Sequence, residues 1–200
     1  MKAIDVIRDE HRALAAVLHG LVFLVRETRQ RGAPPNFPAL SAMLYYIDAF
    51  PERFHHPKED RYLFPLLYAR VPVSAPLLDE LRAEHVAGEA KIRALMQALT
   101  RYREGGAAEF TPFADAVDAY AAFERDHMRR EEREVLPLAE RHLTAGDWAS
   151  VDAAFCGHTD PLLGATPRTR WDQVLSRICN LAPPPIGVGP APQEARSRTR

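Results

Sequence analysis

The chain has 200 residues, of which 46% are hydrophobic and 26% charged, so a disordered polymer is excluded and there is enough apolar material for one ordinary globular core. Twenty-six basic residues against twenty-seven acidic ones leave a formal net charge of −1. No global field gathers nucleic acid or an anionic membrane surface, and function is expected in local chemistry.

Helix 1 is predicted from Ile4, Ile7, Leu14, Leu18, Leu21 and Val25, whose spacing of three and four buries one stripe; Arg31-Gly32-Ala33-Pro34-Pro35 stops it. Within it the longest nearly apolar run, Ala13 to Val25, is broken by His19 and Gly20 and is too short to span a bilayer. With no signal-peptide pattern at the first residues, a soluble cytoplasmic protein is the expectation. Helix 2 is predicted from about Phe37 to Arg70, bent because Pro51, Pro57 and Pro65 interrupt its hydrogen bonding. Ser74 with Pro76 reads as the start of helix 3, which carries Leu78, Leu81, Ile92, Leu95, Leu99 and Tyr102 to a stop at Gly105-Gly106. Thr111-Pro112 reads as the cap and first turn of helix 4, continued by Phe113, Val117, Tyr120, Val135 and Leu138 to about His142. No strand-period segment competes. The expected fold class is all-α, an up-down-up-down four-helix bundle with antiparallel neighbours, because four amphipathic helices joined by short linkers bury their stripes most economically against one another.

The bundle is expected over residues 1–145. A C-terminal helical extension over 146–182 follows, with short helices near Asp147–Phe155 and Thr169–Asn180, and then a Pro/Arg-rich tail over 183–200. Cys156 and Cys179 are far apart, form no metal-type pair or disulfide framework, and are expected as free thiols.

The stripes are broken by histidines. Helix 1 reads Ile4, Ile7, His11, Leu14; helix 3 reads Leu81, His85, Gly88, Ile92; helix 4 reads Tyr120, Glu124, His127, Glu131, Leu138; helix 2 places His55 and Glu59 between Ile47 and Leu66. Four of the eight histidines thus fall on inward faces, one per helix. His55/Glu59 and His127/Glu131 are i, i+4 pairs, about 6 Å apart along a helix and on nearly the same face, so each offers a nitrogen and a carboxylate to one centre. Antiparallel packing brings the early parts of helices 1 and 3 beside the later parts of helices 2 and 4, and all four positions converge in one half of the bundle. Imidazole suits iron, zinc, copper or nickel, and carboxylates that can bridge favour a pair of harder ions, so the mixed set points to a dinuclear site. Without a metal, a buried carboxylate must be paired or neutralised. His56 is expected to point about 100° away from His55, Glu124 to lie at the boundary or contact an imidazole, and His19 and His142 to be ordinary surface or packing residues.

These residues resemble the hemerythrin-like, HHE cation-binding family of four-helix non-haem di-iron proteins. The resemblance is carried by Asp9-Glu10-His11, by Phe54-His55-His56-Pro57-Lys58-Glu59-Asp60 with Leu63-Phe64-Pro65, by Glu84-His85, and by His127-Met128-Arg129-Arg130-Glu131-Glu132 with Leu136-Pro137. It covers roughly residues 1 to 142. It implies that His11 and His55 serve one iron, His85 and His127 the other, and that Glu59 and Glu131 bridge them, with a solvent-derived oxo or hydroxo group completing the pair. Where oxygen-carrying hemerythrins place a further histidine one turn after the helix-3 histidine, this chain has Glu89, expected either as an anionic ligand or as a position left to solvent. A kink or bulge is expected beside the site at Pro57. The implied partner is a small oxidant, dioxygen, nitric oxide or peroxide, on a monomer or homodimer without nucleic acid or membrane. Turnover is left open between catalase-like peroxide decomposition and simple binding. An iron store, carrier or iron-responsive interaction module is the reading of a different class.

Overall fold

The computed structural model describes residues 1–157; the expected helix near 169–180, the tail and Cys179 lie outside the described residues. The described residues form five helices, with short 3-10 turns at two of the joints between them. We label Lys2–Arg31 α1. The stretch 37–70 is one long bent helix, α2, made of α-helical Phe37–Ala49, His56–Lys58 and Phe64–Arg70 separated by the wider π turns Pro51–His55 and Glu59–Leu63. Ala75–Gly105 is α3, and 110–142 is α4, with a π turn at Glu131–Val135 between Phe110–Arg130 and Leu136–His142. Ala145–Cys156 is α5. There are no strands among the described residues, and α1 packs on α2, α2 on α3, α3 on α4 and α4 on α1, closing the bundle.

Local chemistry explains most of the element ends. Gly32 adopts φ +64° after α1 and returns its N–H to the last carbonyls, a backbone state that favours glycine. Asn36 caps α2 by accepting the Ala39 N–H at 3.1 Å, and Thr144 with Asp147 forms a reciprocal capping box on α5. Two expected caps act differently. Ser74 stands at the start of α3, but its hydroxyl donates backward to the Val71 carbonyl at 2.6 Å. Thr111 is already inside α4, because a 3-10 turn at Gly106–Glu109 feeds directly into the helix and makes Glu109 the preceding residue.

The irregularity expected at Pro57 occurs three times. Each π turn ends two residues before a proline: His55 before Pro57, Leu63 before Pro65, Val135 before Pro137. A proline lacks a donor and its ring would strike the carbonyl four residues back. Inserting one extra residue in the preceding turn moves that carbonyl aside, and the hydrogen bonds become i to i+5, as from Phe64 N–H to the Glu59 carbonyl and from Leu136 N–H to the Glu131 carbonyl.

The core is divided. One apolar cluster holds Leu14, Leu18, Leu21, Ile47, Phe50, Ile92, Leu95, Phe113 and Val117; a second holds Ile4, Ile7, Leu63, Phe64, Leu81, Val135, Trp148 and Phe155. Every long helix passes from one cluster to the other through polar residues: His11 in α1, Glu52 to Glu59 in α2, His85 in α3, and Glu124 to Glu131 in α4. The fifth helix closes the second cluster over α1, with Asp152 accepting the Ala3 N–H at 2.7 Å and Arg70 donating to Asp147 at 2.9 Å.

Candidate metal centre

The polar layer is buried, and its imidazoles are held in one orientation. His11 Nδ1 donates to Glu132 at 3.0 Å, His55 Nδ1 to Glu10 at 2.6 Å, His85 Nδ1 to Asp60 at 3.0 Å and His127 Nδ1 to Glu84 at 2.8 Å. A carboxylate only accepts, so each Nδ1 carries a hydrogen and each Nε2 is turned to the interior. There the Nε2 atoms meet in pairs, His11 with His55 at 3.2 Å and His85 with His127 at 3.1 Å.

Glu59 and Glu131 lie between the two pairs. Glu59 presents Oε1 to His55 Nε2 at 3.5 Å and Oε2 to His85 Nε2 at 3.6 Å. Glu131 presents Oε2 to His11 Nε2 at 3.3 Å and Oε1 to His127 and His85 Nε2 at 3.4 and 3.6 Å. Each carboxylate therefore turns one oxygen to each pair. All four oxygens are buried without a hydrogen-bond partner, although buried polar atoms almost always have one. Such approaches are unfavourable among neutral imidazoles and bare carboxylates, and they match what a cation between each pair requires. Ligand atoms within 4.8 Å of one another form two four-residue sets, His11/His55/Glu59/Glu131 and Glu59/His85/His127/Glu131. By donor chemistry and by its unpartnered oxygens the layer fits two cations.

In the ion-free chain the surrounding carboxylates favour the protonated form of these imidazoles. Burial works against charge on His127 and His85, but Glu131 and the other carboxylates outweigh it and push the two up to about 10 and about 9. His55 is raised well above its usual range for the same reason, through Glu59 and Glu10, and His11 is raised through Glu131 and Glu132. Glu131 is held well below the ordinary carboxylate range: burial opposes its charge, and His127 and its other imidazole neighbours overcome that.

The arrangement is a pseudo-twofold repeat. In each half a Glu-His pair on one helix (Glu10-His11, Glu84-His85) meets a His-x-x-x-Glu-acid segment on the next (His55 to Asp60, His127 to Glu132), and a proline lies six residues after each inner glutamate, at Pro65 and Pro137. The outer acids cross between halves, since Glu132 orients His11 and Asp60 orients His85. These outer carboxylates stand in the sequence as the acid before or after an inner residue, but nothing in helical periodicity says which imidazole each will reach. Arg130 fixes Glu84 by donating to Oε1 at 2.6 Å while also reaching Glu80.

Two expected positions are corrected. Glu89 does not join the layer: its side chain is half exposed and accepts from Arg93 at 2.6 Å. The inward register of α3 is Leu81, His85, Gly88, Ile92, which leaves Glu89 at the outer boundary. His56, in contrast, does not point away. It is 4% exposed, stacks on His85 with ring centres 4.4 Å apart and an 8° interplanar angle, and groups with His85 and His127. The π turn before it holds more residues per turn, which narrows the angle between consecutive side chains and lets both His55 and His56 face inward. Its Nδ1 donates to Glu52 at 3.2 Å. Burial, followed by the charges on His85 and His55, holds it well below the usual imidazole range, so it is neutral with a free lone pair.

Beyond His56 lies a further acidic group. Tyr120 donates its hydroxyl to Glu52 at 3.0 Å, and Glu124, 1% exposed and not at the boundary, has neither oxygen hydrogen-bonded. Gly88 leaves room for both carboxylates, since a Cβ there would stand 3.0 Å from Glu52 Oε1 and 3.5 Å from Glu124 Oε1. Burial first, and Glu124 second, pushes Glu52 up to about 8. His19 and His142 are exposed, as expected.

A cavity of about 10 Å³, on the scale of one water-sized molecule, is lined by His11, His55 and His56 together with Leu14, Phe50 and Met128. Phe155 of α5 covers the edge of His55 at 6.0 Å between ring centres. No described helix is long and apolar enough to cross a membrane. Residues 2–139 match the family model described as Hemerythrin HHE cation binding domain. No curated protein and no solved structure matches the chain.

Proposed function

The chain belongs to the hemerythrin HHE cation-binding family, and from that premise we propose that it is a non-haem di-iron protein that binds, senses or consumes a small oxidant in the cytoplasm. The observation that carries the reading is the set of four unpartnered carboxylate oxygens facing four oriented Nε2 atoms. His11 and His55 would hold one ion and His85 and His127 the other, with Glu59 and Glu131 supplying carboxylate oxygens to both. His56 would supply the second ion with a third imidazole, while Glu89 stays outside the layer on Arg93. When bound, the pair supplies reversible one-electron chemistry and a Lewis-acidic centre for an oxygen-derived ligand.

The chain's own residues set the conditions. Glu10, Glu84, Asp60 and Glu132 keep a hydrogen on each Nδ1, which fixes the ring and raises the electron density at Nε2. The two apolar clusters on either side exclude bulk water and keep the local dielectric low. Leu14, Phe50 and Pro51 line a water-sized space beside His11 and His55, which gives an exchangeable ligand a place next to the layer. No protein nucleophile is required, so reactivity depends on what the ion pair exchanges with that ligand.

Purified protein loaded anaerobically with ferrous ion tests the reading. About two irons per chain and a visible spectrum that changes with dioxygen, nitric oxide or peroxide are expected, and His127→Ala lowers the iron content. Peroxide turnover separates catalysis from binding. Iron that loads and leaves without any spectral response to the three oxidants favours the store or carrier reading. One zinc per chain, or no metal, refutes the di-iron centre.

A further inference from the structure

The acids that orient the imidazoles are themselves backed by cations. His127 and His85 each stand at the head of a row of three groups: imidazole, carboxylate, guanidinium. His127 Nδ1 donates to Glu84 Oε2 at 2.8 Å, and Glu84 Oε1 accepts from Arg130 Nη1 at 2.6 Å. His85 Nδ1 donates to Asp60 Oδ1 at 3.0 Å; Arg82 Nε stands 3.8 Å from that same oxygen, and Arg82 Nη2 donates to the Asp60 carbonyl at 3.5 Å. Arg82 also lies over the Phe64 ring at 6.0 Å, and Phe64 stacks on His85 with ring centres 5.7 Å apart. Arginines from α3 and α4 thus bear on two imidazoles of one ion.

Holding the rings in place takes only the carboxylates; the arginines change how strongly those carboxylates act. A carboxylate that accepts an imidazole N–H pushes electron density to the far nitrogen. One that also carries a guanidinium has part of its charge neutralised and pushes less, and the guanidinium's own charge repels a trivalent ion more than a divalent one.

We propose that Arg130 and Arg82 are positioning residues that set the charge state of the second ion, holding it divalent in preference to trivalent. This rests on the di-iron reading above. The ion of His85 and His127 then gives up an electron less readily than it would behind bare carboxylates. Arg130 has the larger effect, because it is 19% exposed and in direct contact with its carboxylate, whereas Arg82 is 39% exposed and more screened by water and salt.

Mediated reductive titration of the iron-loaded full chain, followed in the visible spectrum with iron counted on the same samples, tests the inference. Arg130→Gln should keep about two irons per chain and favour the ferric state of the second ion about tenfold, which for a one-electron couple lowers its midpoint by about 59 mV. Arg130→Lys restores the charge and should return the midpoint toward the wild-type value, and Arg82→Gln should shift it in the same direction as Arg130→Gln by a smaller amount. Arg93→Gln is the control: it removes the same charge from α3, but its partner Glu89 lies outside the layer, so the midpoint should stay where it is. A purely mechanical clamp gives the other sign, since a loosened His127 binds ferric ion less well and the midpoint stays or rises. An unmoved or raised midpoint in Arg130→Gln with two irons bound, no recovery in Arg130→Lys, or an equal fall in Arg93→Gln overturns the inference and leaves the di-iron reading standing. A wild-type chain that takes up no iron overturns both. If Arg130→Gln does not fold or load, Arg82→Gln decides by the same sign: a lowered midpoint supports the inference and an unchanged one overturns it.

Discussion

Replacing Glu84 by Gln should weaken one of the two ions and spare the other. Glu84 Oε2 accepts the His127 Nδ1–H at 2.8 Å and Oε1 takes Arg130 at 2.6 Å, so the carboxylate both fixes the ring and is itself fixed. An amide keeps the shape but offers a single acceptor oxygen. Either His127 or Arg130 then loses its partner, and the negative charge that makes Nε2 electron-rich is gone. Loss of such an outer partner typically lowers metal affinity 10- to 100-fold, which corresponds to about 1.4–2.7 kcal/mol. The pseudo-twofold arrangement makes the test internal. Glu10→Gln should produce the same loss at the ion held by His11 and His55, because Glu10 accepts from His55 at 2.6 Å. Competition titration with a chromophoric chelator reads both sites. Glu84→Gln is expected to give one weakened and one unchanged step, and the Glu10/Glu84 double variant two weakened steps. Glu89→Gln serves as the control and should change neither, since its carboxylate pairs with Arg93 outside the layer. Equal affinity in the wild type and Glu84→Gln, or a loss in Glu89→Gln, would refute the assignment of outer partners.

Three further outcomes follow from the same geometry. Ion binding should raise thermal stability: at a free concentration 100 times the dissociation constant each ion contributes about 2.7 kcal/mol, or roughly 5–10 °C in Tm for a domain of this size, and an unchanged Tm in calorimetry with and without iron counts against a buried site. The ion-free and loaded forms should respond to pH with opposite sign. His85 and His127 are raised from 6.5 to about 9 and about 10, so in the ion-free chain their stabilising contribution is full below about pH 6.5 and is lost as pH rises through about 9–10. Cations compete with the same protons, so loading releases protons and strengthens over that interval; denaturant titrations showing the ion-free chain steadily gaining stability there would contradict the ion-pair account. Phe155→Ala should cost about 3–5 kcal/mol, because the side chain is fully buried in the second cluster and lies against His55, and a loss below 1 kcal/mol in urea unfolding would show that α5 is not part of that core.

The helices and the inward histidines were legible because both rest on periodicity, which a linear chain displays directly. His11, His85 and His127 fall in stripes of regular α-helix, and the positions read from the 3.6 period are the ones that meet. His56 is illegible for the reason that makes His55 legible: a step of 100° per residue does not hold where the turn is wider, and the prolines that widen it lie downstream of the residues they reorient. Glu89 failed because one turn from a ligand covers two directions, and only packing decides that Gly88, at three residues, faces the layer while Glu89, at four, does not. The network through Glu52, Tyr120 and Glu124 joins α2 to α4 by contacts that no local pattern encodes. Glu124 in particular reads as a boundary residue until the neighbouring helix is seen to put a glycine opposite it.

The crossing of outer acids between the halves carries a mechanical consequence. Residues 2–70 and 75–142 form two helical hairpins, each contributing one inner glutamate and one acid that steadies a ring of the other. With ions in place, neither hairpin can swing away without stripping a shared carboxylate from both cations at once. Amide hydrogen exchange, which in an ion-free bundle reports each hairpin opening on its own, should then collapse into a single cooperative event spanning the middle of all four long helices.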